Sequence, residues 1–263
     1  MRKGVQTYTV RAFFSDREQC RETYGKIAAI GYDSVQAGAP RFMTVGETQA
    51  MFEECGLANC SGNADYEKLI KGGDAITEAV SQARMFKTPY VGIGTIPEKY
   101  RYNRDAMKQY AHSLNGIASE LKKEGCFLLY HHHTLEFYSF GGGVNGMDIL
   151  ADETDPEGVL FTLDTHWLAA SGTDSVYWIR KLKGRVPIIH FKDYGISSTS
   201  DAMIEGVHKT FAEVGEGNII WPPIVDACRE TGVEFVIVEQ DTCKGDPFDS
   251  LAVSYQNLCK LNI

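Results

Sequence analysis

The feature that most constrains the fold is a repeated alternation of short apolar runs with longer amphipathic segments. The apolar runs have the length of strands, and the segments between them carry apolar residues at helical spacing. Strict alternation of this kind is typical of parallel strands joined by right-handed helical crossovers. The eight predicted strands are Val5–Val10, Ser34–Ala37, Leu57–Ser61, Tyr90–Gly94, Phe127–His131, Leu160–Asp164, Pro187–His190 and Phe235–Glu239.

Six amphipathic segments between these runs are predicted helices, and glycine follows several of them. Gly31 comes directly after the first predicted helix, and Gly125 follows the fourth closely. Because glycine is common just past the last turn of a helix, each of these points predicts a helix-to-strand junction. The predicted helices are Arg17–Ile30, Thr44–Cys55, Tyr66–Phe86, Asn103–Lys123, Ser175–Leu182 and Trp221–Glu230.

The number of units predicts the architecture. Eight units in 263 residues leave about 33 residues for one strand, one helix and two loops. This favours a closed (β/α)₈ TIM barrel of eight parallel strands, a fold for which such a length is ordinary. The chain has no GxGxxG motif after its first strand and no GxxxxGK[ST] phosphate loop. No Gly/Ser/Pro-rich linker divides it, so we expect a single domain over residues 1–263.

Composition excludes several classes of partner. The chain has 26 basic and 35 acidic residues, and this net charge of −9 argues against a nucleic-acid partner. Its seven cysteines include no CxxC pair, which favours free thiols in a reducing compartment. No signal peptide or apolar run of membrane-spanning length is evident. We therefore expect a cytoplasmic protein without a membrane partner, and leave homo-oligomer formation open.

Imidazoles and carboxylates cluster where four consecutive predicted strands end. In a parallel barrel the carboxyl ends of the strands form the active-site face. Side chains of these types are ligands for divalent cations such as Mn²⁺, Mg²⁺, Co²⁺ or Zn²⁺. They are too far apart in sequence to chelate locally, so the prediction depends on the barrel. The polar residues at these ends are His131, His132, His133 and Glu136, then Asp164 and His166, then His190, Lys192 and Asp193, then Glu239 and Asp241.

Each of these residues also has a purely structural interpretation. Asp164 is in a position to cap the following helix. Lys192 has acidic neighbours, including Asp193, with which to pair, and Glu136 has the character of a solvated loop residue. Alternate side chains of a strand diverge, so His131 and His133 share one face while His132 takes the other. At least one of the three histidines is therefore expected to be structural.

The motifs at these strand ends resemble those of the sugar phosphate isomerase/epimerase group, within the xylose isomerase-like barrel superfamily. The sequence is also similar to inosose dehydratases, tagatose 3-epimerases and type IV apurinic endonucleases. The motifs occur in family order over nearly the whole chain. They are Val5-Gln6-Thr7-Tyr8-Thr9-Val10-Arg11, Tyr130-His131-His132-His133-Thr134-Leu135-Glu136-Phe137, Leu163-Asp164-Thr165-His166-Trp167, Ile189-His190-Phe191-Lys192-Asp193, Val214-Gly215-Glu216-Gly217 and Val238-Glu239-Gln240-Asp241.

The resemblance implies one divalent metal ion at the mouth of the barrel, for which Mn²⁺ is expected, with Mg²⁺, Co²⁺ and Zn²⁺ as alternatives. Asp164, His190 and Glu239 match three ligand positions. Epimerase-like relatives carry a glutamate at the tip of strand five, where this chain has His131. We expect Glu136 to replace it as the fourth ligand, with His131 as the alternative. Gln36 also departs from the family pattern, because relatives often have glutamate there.

The activity implied is that of a metal-dependent isomerase or epimerase acting on a keto- or aldo-sugar through an enediolate. Glu239 is the expected base on one face of the substrate. His131 and His133 are further acid/base candidates near neutral pH. Lys192 is expected to neutralise the developing oxyanion. These four are the predicted catalytic residues.

The sequence also predicts a sugar pocket, and it leaves other functions open. Aromatic rings stack on the C–H face of a sugar, and arginine contacts two oxygens at once. The closest alternative function is a lyase or dehydratase acting on a keto-sugar, keto-glycoside or keto-inositol. An endonuclease and a non-catalytic sugar-binding barrel are less favoured. No dedicated phosphate cradle is evident, so we expect an unphosphorylated ligand. The substrate-binding candidates are Tyr8, Arg11, Trp167 and His166.

Overall fold

A parallel sheet, rolled into a nearly closed barrel, organises the computed structural model, which describes residues 1–198 and 207–263. The strands in these residues are β1 (Arg2–Gln6), β2 (Ser34–Gln36), β3 (Ala58–Asn59), β4 (Gly62–Asn63), β5 (Tyr90–Gly94), β6 (Phe127–His131), β7 (Val159–Asp164), β8 (Ile188–Phe191), β9 (Asp193–Ser198), β10 (Val207–Ala212) and β11 (Phe235–Val238). Nine of them form the barrel sheet in the order β3-β2-β1-β11-β8-β7-β6-β5-β4, and every neighbouring pair is parallel. A separate antiparallel hairpin consists of β9 and β10.

The two edge strands of the sheet complete the barrel. Only Cys60 and Ser61 separate β3 from β4 in the chain, so one continuous segment connects both edges. Together β3 and β4 occupy the place of the predicted strand Leu57–Ser61. Nine observed strands therefore correspond to eight predicted ones, and the predicted TIM barrel is confirmed.

Helices surround the barrel and bury their apolar faces against the outer side of the strands. All six residues of β7 are buried, as expected for a strand covered on both faces. A small cluster that includes Leu129, Leu160 and Ile237 is separate from the larger core cluster. The helices are α1 (Arg17–Ile30), α2 (Val45–Glu54), α3 (Tyr66–Leu69), α4 (Asp74–Met85), α5 (Arg104–Lys123), α6 (Gly146–Glu153), α7 (Thr165–Ala170), α8 (Ser175–Lys181), α9 (Trp221–Thr231) and α10 (Pro247–Lys260).

Two predicted elements have different boundaries in the structure. The first strand ends at Gln6, and Thr7–Phe13 forms 3₁₀ turns, so the predicted strand Val5–Val10 is wrong from Thr7 onward. The Gln6 side chain accepts a hydrogen bond from the backbone N–H of Tyr8 and thereby caps these turns. The predicted helix Tyr66–Phe86 is two helices, α3 and α4. Gly72 and Gly73 separate them with φ angles of +70° and +57°, which a continuing helix cannot contain.

The sequence analysis did not predict the hairpin β9–β10 or helices α6, α7 and α10. The hairpin follows β8 directly, at the carboxyl end of the barrel. Short 3₁₀ helices also occur in the loops after β5 and β6, at Glu98–Tyr100 and Leu135–Phe137. Among the described residues, no helix combines the length and the apolar character needed to cross a membrane.

Candidate metal centre

Four potential metal ligands converge at the carboxyl ends of four neighbouring strands. His131 is the last residue of β6, Asp164 is the last of β7, His190 lies in β8, and Glu239 directly follows β11. One ligand atom from each residue lies within 4.8 Å of the others. His190 Nδ1 is 3.0 Å from Glu239 Oε2 and 3.7 Å from Asp164 Oδ2, and His131 Nε2 is also 3.7 Å from Asp164 Oδ2. Parallel strand pairing thus brings together residues that are distant in sequence.

The four converging atoms share a second property that points to a cation. His131 Nε2, Asp164 Oδ2, His190 Nδ1 and Glu239 Oε2 are all buried, and none has a hydrogen-bond partner among the described residues. Buried polar atoms are rarely left unpaired in folded proteins. Two imidazole nitrogens and two carboxylate oxygens are a suitable donor set for Zn²⁺, Mn²⁺ or Co²⁺. These residues therefore fit the metal ion that the sequence predicts.

The electrostatics of the group keep both carboxylates charged. Burial alone would raise the pKa of Glu239, but the nearby His190 and Lys192 charges lower it to about 2. Burial likewise opposes ionisation of Asp164, yet the nearby His131, His190 and Lys192 groups hold its pKa well below the usual value. Burial favours neutral His190, but Glu239 and Asp164 raise its pKa to about 9. The centre is thus an anionic site that attracts positive charge.

Gln36 fixes the orientation of the His190 ring. His190 Nε2 lies 2.5 Å from Gln36 Oε1, which also accepts a hydrogen bond from Gln6 Nε2 at 3.0 Å. Gln36 Nε2 in turn donates to Ser61 Oγ at 3.0 Å, which sets the amide orientation. His190 therefore presents Nδ1 to the centre. A hydrogen bond to the remote ring nitrogen is the usual way in which a metal-binding histidine is held.

His132 is the structural histidine that strand alternation predicts. Its ring is fully buried, and its Nε2 accepts a hydrogen bond from the backbone N–H of Asp164 at 3.0 Å. With Nε2 as acceptor, Nδ1 carries the proton and donates to the His133 carbonyl at 3.1 Å. Burial lowers the pKa of His132 to about 4, which keeps the ring neutral. His132 thus connects the ends of β6 and β7 from outside the centre.

The structure does not bring Glu136, the expected fourth ligand, into the group. Its carboxylate is fully buried and accepts hydrogen bonds from the Tyr130 hydroxyl and, at 2.8 Å, from the His133 backbone N–H. The 3₁₀ turn Leu135–Phe137 carries Glu136 back beneath the strand tip, so both oxygens already have donors. Burial raises the pKa of this carboxyl group. Of the two residues expected as the fourth ligand, His131 therefore lies in the converging group and Glu136 lies outside it.

A cavity of about 420 Å³ opens above the four converging residues. Tyr8 and Trp167, which are substrate-binding candidates, and His133, an acid/base candidate, contribute to its wall. Buried Trp167 Nε1 and His133 Nδ1 have no partner among the described residues, so both are free to contact a ligand. The lining residues are Gln6, Tyr8, Asn63, Gly94, Thr95, His131, His133, Trp167, Lys192, Glu239 and Asp241.

Lys192 is the buried cation of this cavity. Its Nζ lies 2.7 Å from Asp241 Oδ1 and 3.5 Å from Glu239 Oε2, and it sits 4.9 Å from the centre of the Trp167 ring. Burial would lower the pKa of Lys192, but the surrounding carboxylates, Asp164 first, raise it above the usual value. Lys192 therefore remains an ammonium group. Its partner is Asp241 rather than the adjacent Asp193.

Two predicted substrate-binding residues lie outside this cavity. His166 packs against Tyr194 and Phe211, and Arg11 lines a neighbouring cavity.

His133, a predicted acid/base residue, is not protonated at neutral pH. Burial and the nearby His131 lower its pKa to about 3, so its ring is neutral at pH 7 and is not a general acid. His133 remains suited to accept or donate hydrogen bonds as a neutral imidazole.

Sequence reasoning missed Gln6 and Asn63 as cavity residues. Both occupy the last position of a strand, β1 and β4 respectively, where polar side chains face the mouth of a barrel. The misplaced end of the first strand concealed Gln6. Asn63 lies beyond the predicted end of strand three at Ser61. Correct strand ends would have identified both residues.

Comparison with known proteins agrees with the fold. A family model for xylose isomerase-like TIM barrels matches residues 25–252, which include every strand from β2 to β11. The inosose dehydratase of Lacticaseibacillus casei is 30% identical over 165 residues, which represent 58% of this chain and 53% of that protein. The chain thus spans about half the length of the curated relatives that it matches.

Solved structures show the same barrel at lower sequence identity. A sugar phosphate isomerase/epimerase from Parabacteroides distasonis has a TM-score of 0.78 and 21% identity, covering 98% of this chain and 93% of that one. The IolI protein with a bound zinc atom has a TM-score of 0.70 and 14% identity, covering 99% and 98% of the two chains. At these identities the likeness is one of fold.

Proposed function

Because the chain belongs to the xylose isomerase-like TIM barrel family, we propose that it is a divalent-cation-dependent enzyme acting on a polyhydroxylated carbonyl compound. The reaction begins with removal of a proton from the carbon beside the carbonyl. The observation that carries this proposal is the set of four unpaired, buried donor atoms converging at the mouth of the barrel. When bound there, a divalent cation supplies Lewis-acid polarisation of the carbonyl and acidifies the neighbouring C–H bond.

The residues of the centre divide into those that hold the cation and those that act on the substrate. His131, Asp164, His190 and Glu239 are the proposed ligands. Glu239 is also the proposed base, because its carboxylate is ionised and lines the cavity. Lys192 is the proposed acid, because its ammonium group lies 3.5 Å from Glu239 within the same cavity. A base and an acid on one side of the cavity are the groups that an elimination requires.

Elimination is therefore the preferred overall reaction, ahead of isomerisation. Epimerisation is served most simply by two bases on opposite faces. The tip of β6, where epimerase-like relatives carry a glutamate, instead holds His131, an imidazole with its Nε2 3.7 Å from Asp164 Oδ2. Similarity to inosose dehydratases also supports a lyase. We thus propose β-elimination of water or another leaving group from a keto-sugar, keto-glycoside or keto-inositol.

Proton NMR tests this proposal, with inosose as the first substrate. The Mn²⁺-loaded protein turns over the substrate in D₂O, the reaction is quenched, and the metal ion is removed before the spectrum is recorded. Loss of water is the expected result. Lys192→Met should slow water loss by about 10²–10⁴-fold, because it removes the acid, while the cation stays bound. Deuterium uptake into the substrate should persist in this variant. Lys183→Met, which changes an exposed lysine, is the matched control.

Three outcomes discriminate between the functions. Deuterium uptake without water loss in the unmodified protein supports isomerisation and contradicts elimination. Equal water loss in Lys192→Met and in the control contradicts the role of Lys192. If neither deuterium uptake nor water loss occurs with inosose and with a panel of keto-sugars and keto-glycosides, proton abstraction is wrong and a binding protein is favoured.

A further inference from the structure

A second cavity, which we call the side cavity, lies next to the metal centre and has a volume of about 530 Å³. The 3₁₀ segment Thr7–Phe13 forms the partition between the two cavities. Gln6 and Tyr8 line the metal-centre cavity, whereas Thr7 and Arg11 line the side cavity. A substrate that extends past this partition would thus contact both cavities.

The side cavity carries positive charge that the protein does not neutralise. Arg11 and Arg41 both line it, and neither guanidinium has a carboxylate within 4.0 Å among the described residues. Arg11 Nη1 donates to two backbone carbonyls, those of Tyr8 at 2.8 Å and Asp241 at 3.0 Å. Its guanidinium lies 4.0 Å from the centre of the Tyr8 ring. These contacts fix Arg11 in place and leave its charge available.

The remaining wall of the side cavity is largely aromatic and apolar. Phe14 and Tyr24 are adjacent, with ring centres 5.2 Å apart, and Phe42 is 49% exposed. Ala39 and Pro40 add further apolar surface. An inorganic phosphate is small and strongly hydrated, so it would leave this wall without contacts. A flat ring would stack on the wall, and guanidinium planes also stack on aromatic faces.

We propose that the side cavity is a second subsite that binds a planar aromatic group carrying an acidic oxygen. This group would be the non-reacting part of a substrate whose polyhydroxylated portion lies at the metal centre. The substrate class is thus an aryl-substituted carbohydrate, in which the oxygen pairs with Arg11 and Arg41. The link between the two cavities rests on the proposed function, whereas binding of the aromatic group does not.

Binding of 4-fluorobenzoate, followed by ¹⁹F NMR, tests the side cavity without turnover. We expect saturable binding in the cation-loaded protein. Arg41→Gln should weaken it about tenfold, because one charge-assisted contact is lost. Phe42→Ala should weaken it about threefold or more through loss of stacking. Arg104→Gln, which changes an exposed arginine outside both cavities, should leave binding unchanged and is the matched control.

A carboxylate also binds metal ions directly, so the same titration is repeated on cation-free protein and on His190→Ala. Unchanged affinity in both places the ligand away from the metal centre and supports the proposal. Loss of binding in either overturns it. Displacement of 4-fluorobenzoate by an equal concentration of inorganic phosphate identifies a simple anion site and also overturns the proposal. Absence of binding to the unmodified protein overturns it too, and so does equal affinity in Arg41→Gln and the unmodified protein.

The two proposals fail in distinguishable ways. Failure of 4-fluorobenzoate to bind leaves cation-dependent water loss from inosose unaffected. Failure of that reaction leaves the binding isotherm unaffected.

Discussion

His131 and Glu136 lie close together in sequence but have different roles. His131 presents an unpaired ring nitrogen to the centre, whereas both Glu136 oxygens accept hydrogen bonds from Tyr130 and His133. Glu136 thus holds the tip of β6 in the conformation that places His131 and His133 at the cavity.

Substitution of these two residues separates the roles. Glu136→Gln should retain one cation per chain, and it should lower the free energy of unfolding by about 1–3 kcal/mol, because an amide leaves one buried partner unsatisfied. His131→Gln should weaken cation binding. Elemental analysis and urea denaturation measure the two effects. Loss of the cation from Glu136→Gln, with the fold retained, would restore Glu136 as a ligand.

The hairpin β9–β10 is anchored to the barrel through Asp193. This buried carboxylate accepts hydrogen bonds from Gly215 N at 3.0 Å, Ile219 N at 3.2 Å and Trp221 Nε1 at 2.8 Å, as well as from the backbone N–H groups of Tyr194 and Gly217. A Cβ atom on Gly217 would lie 2.3 Å from Asp193 Oδ1, so only glycine fits there. The motif around Gly215 is therefore a set of backbone donors for Asp193.

Removal of the Asp193 charge should destabilise this element. Asp193→Asn replaces an acceptor of five hydrogen bonds with an amide, and we expect the free energy of unfolding to fall by about 2–4 kcal/mol. Urea denaturation followed by tryptophan fluorescence is the measurement. Asp226→Asn changes an exposed carboxylate whose ion pair in the described part of the chain is with Arg229, and it should change stability by less than about 0.5 kcal/mol. Equal stability of both variants would show that the Asp193 network contributes little.

At the scale of the whole molecule, the sequence predicts the barrel because alternation of strands and helices is a strong, repeated signal. It also predicts that Asp164, His190 and Glu239 lie together, since the carboxyl ends of parallel strands meet at one face of the barrel. The position of Glu136 outside the converging group could not be predicted, because the 3₁₀ turn that redirects it has no clear periodicity. The sequence shows Gln36 only as a position where relatives often have glutamate. Its contact with His190 could not be predicted, because the two residues are 154 positions apart in the chain. Such contacts depend on tertiary packing.

Titration of the cation-free protein with Mn²⁺, followed by calorimetry, tests the metal centre most directly. We predict one site per chain in the unmodified protein. His190→Ala should lose stoichiometric binding while remaining folded, because it removes the nitrogen that faces both Asp164 and Glu239. His112→Ala, at an exposed histidine paired with Glu153, should bind Mn²⁺ as the unmodified protein does. Unchanged stoichiometry and affinity in His190→Ala would contradict the assignment of the centre.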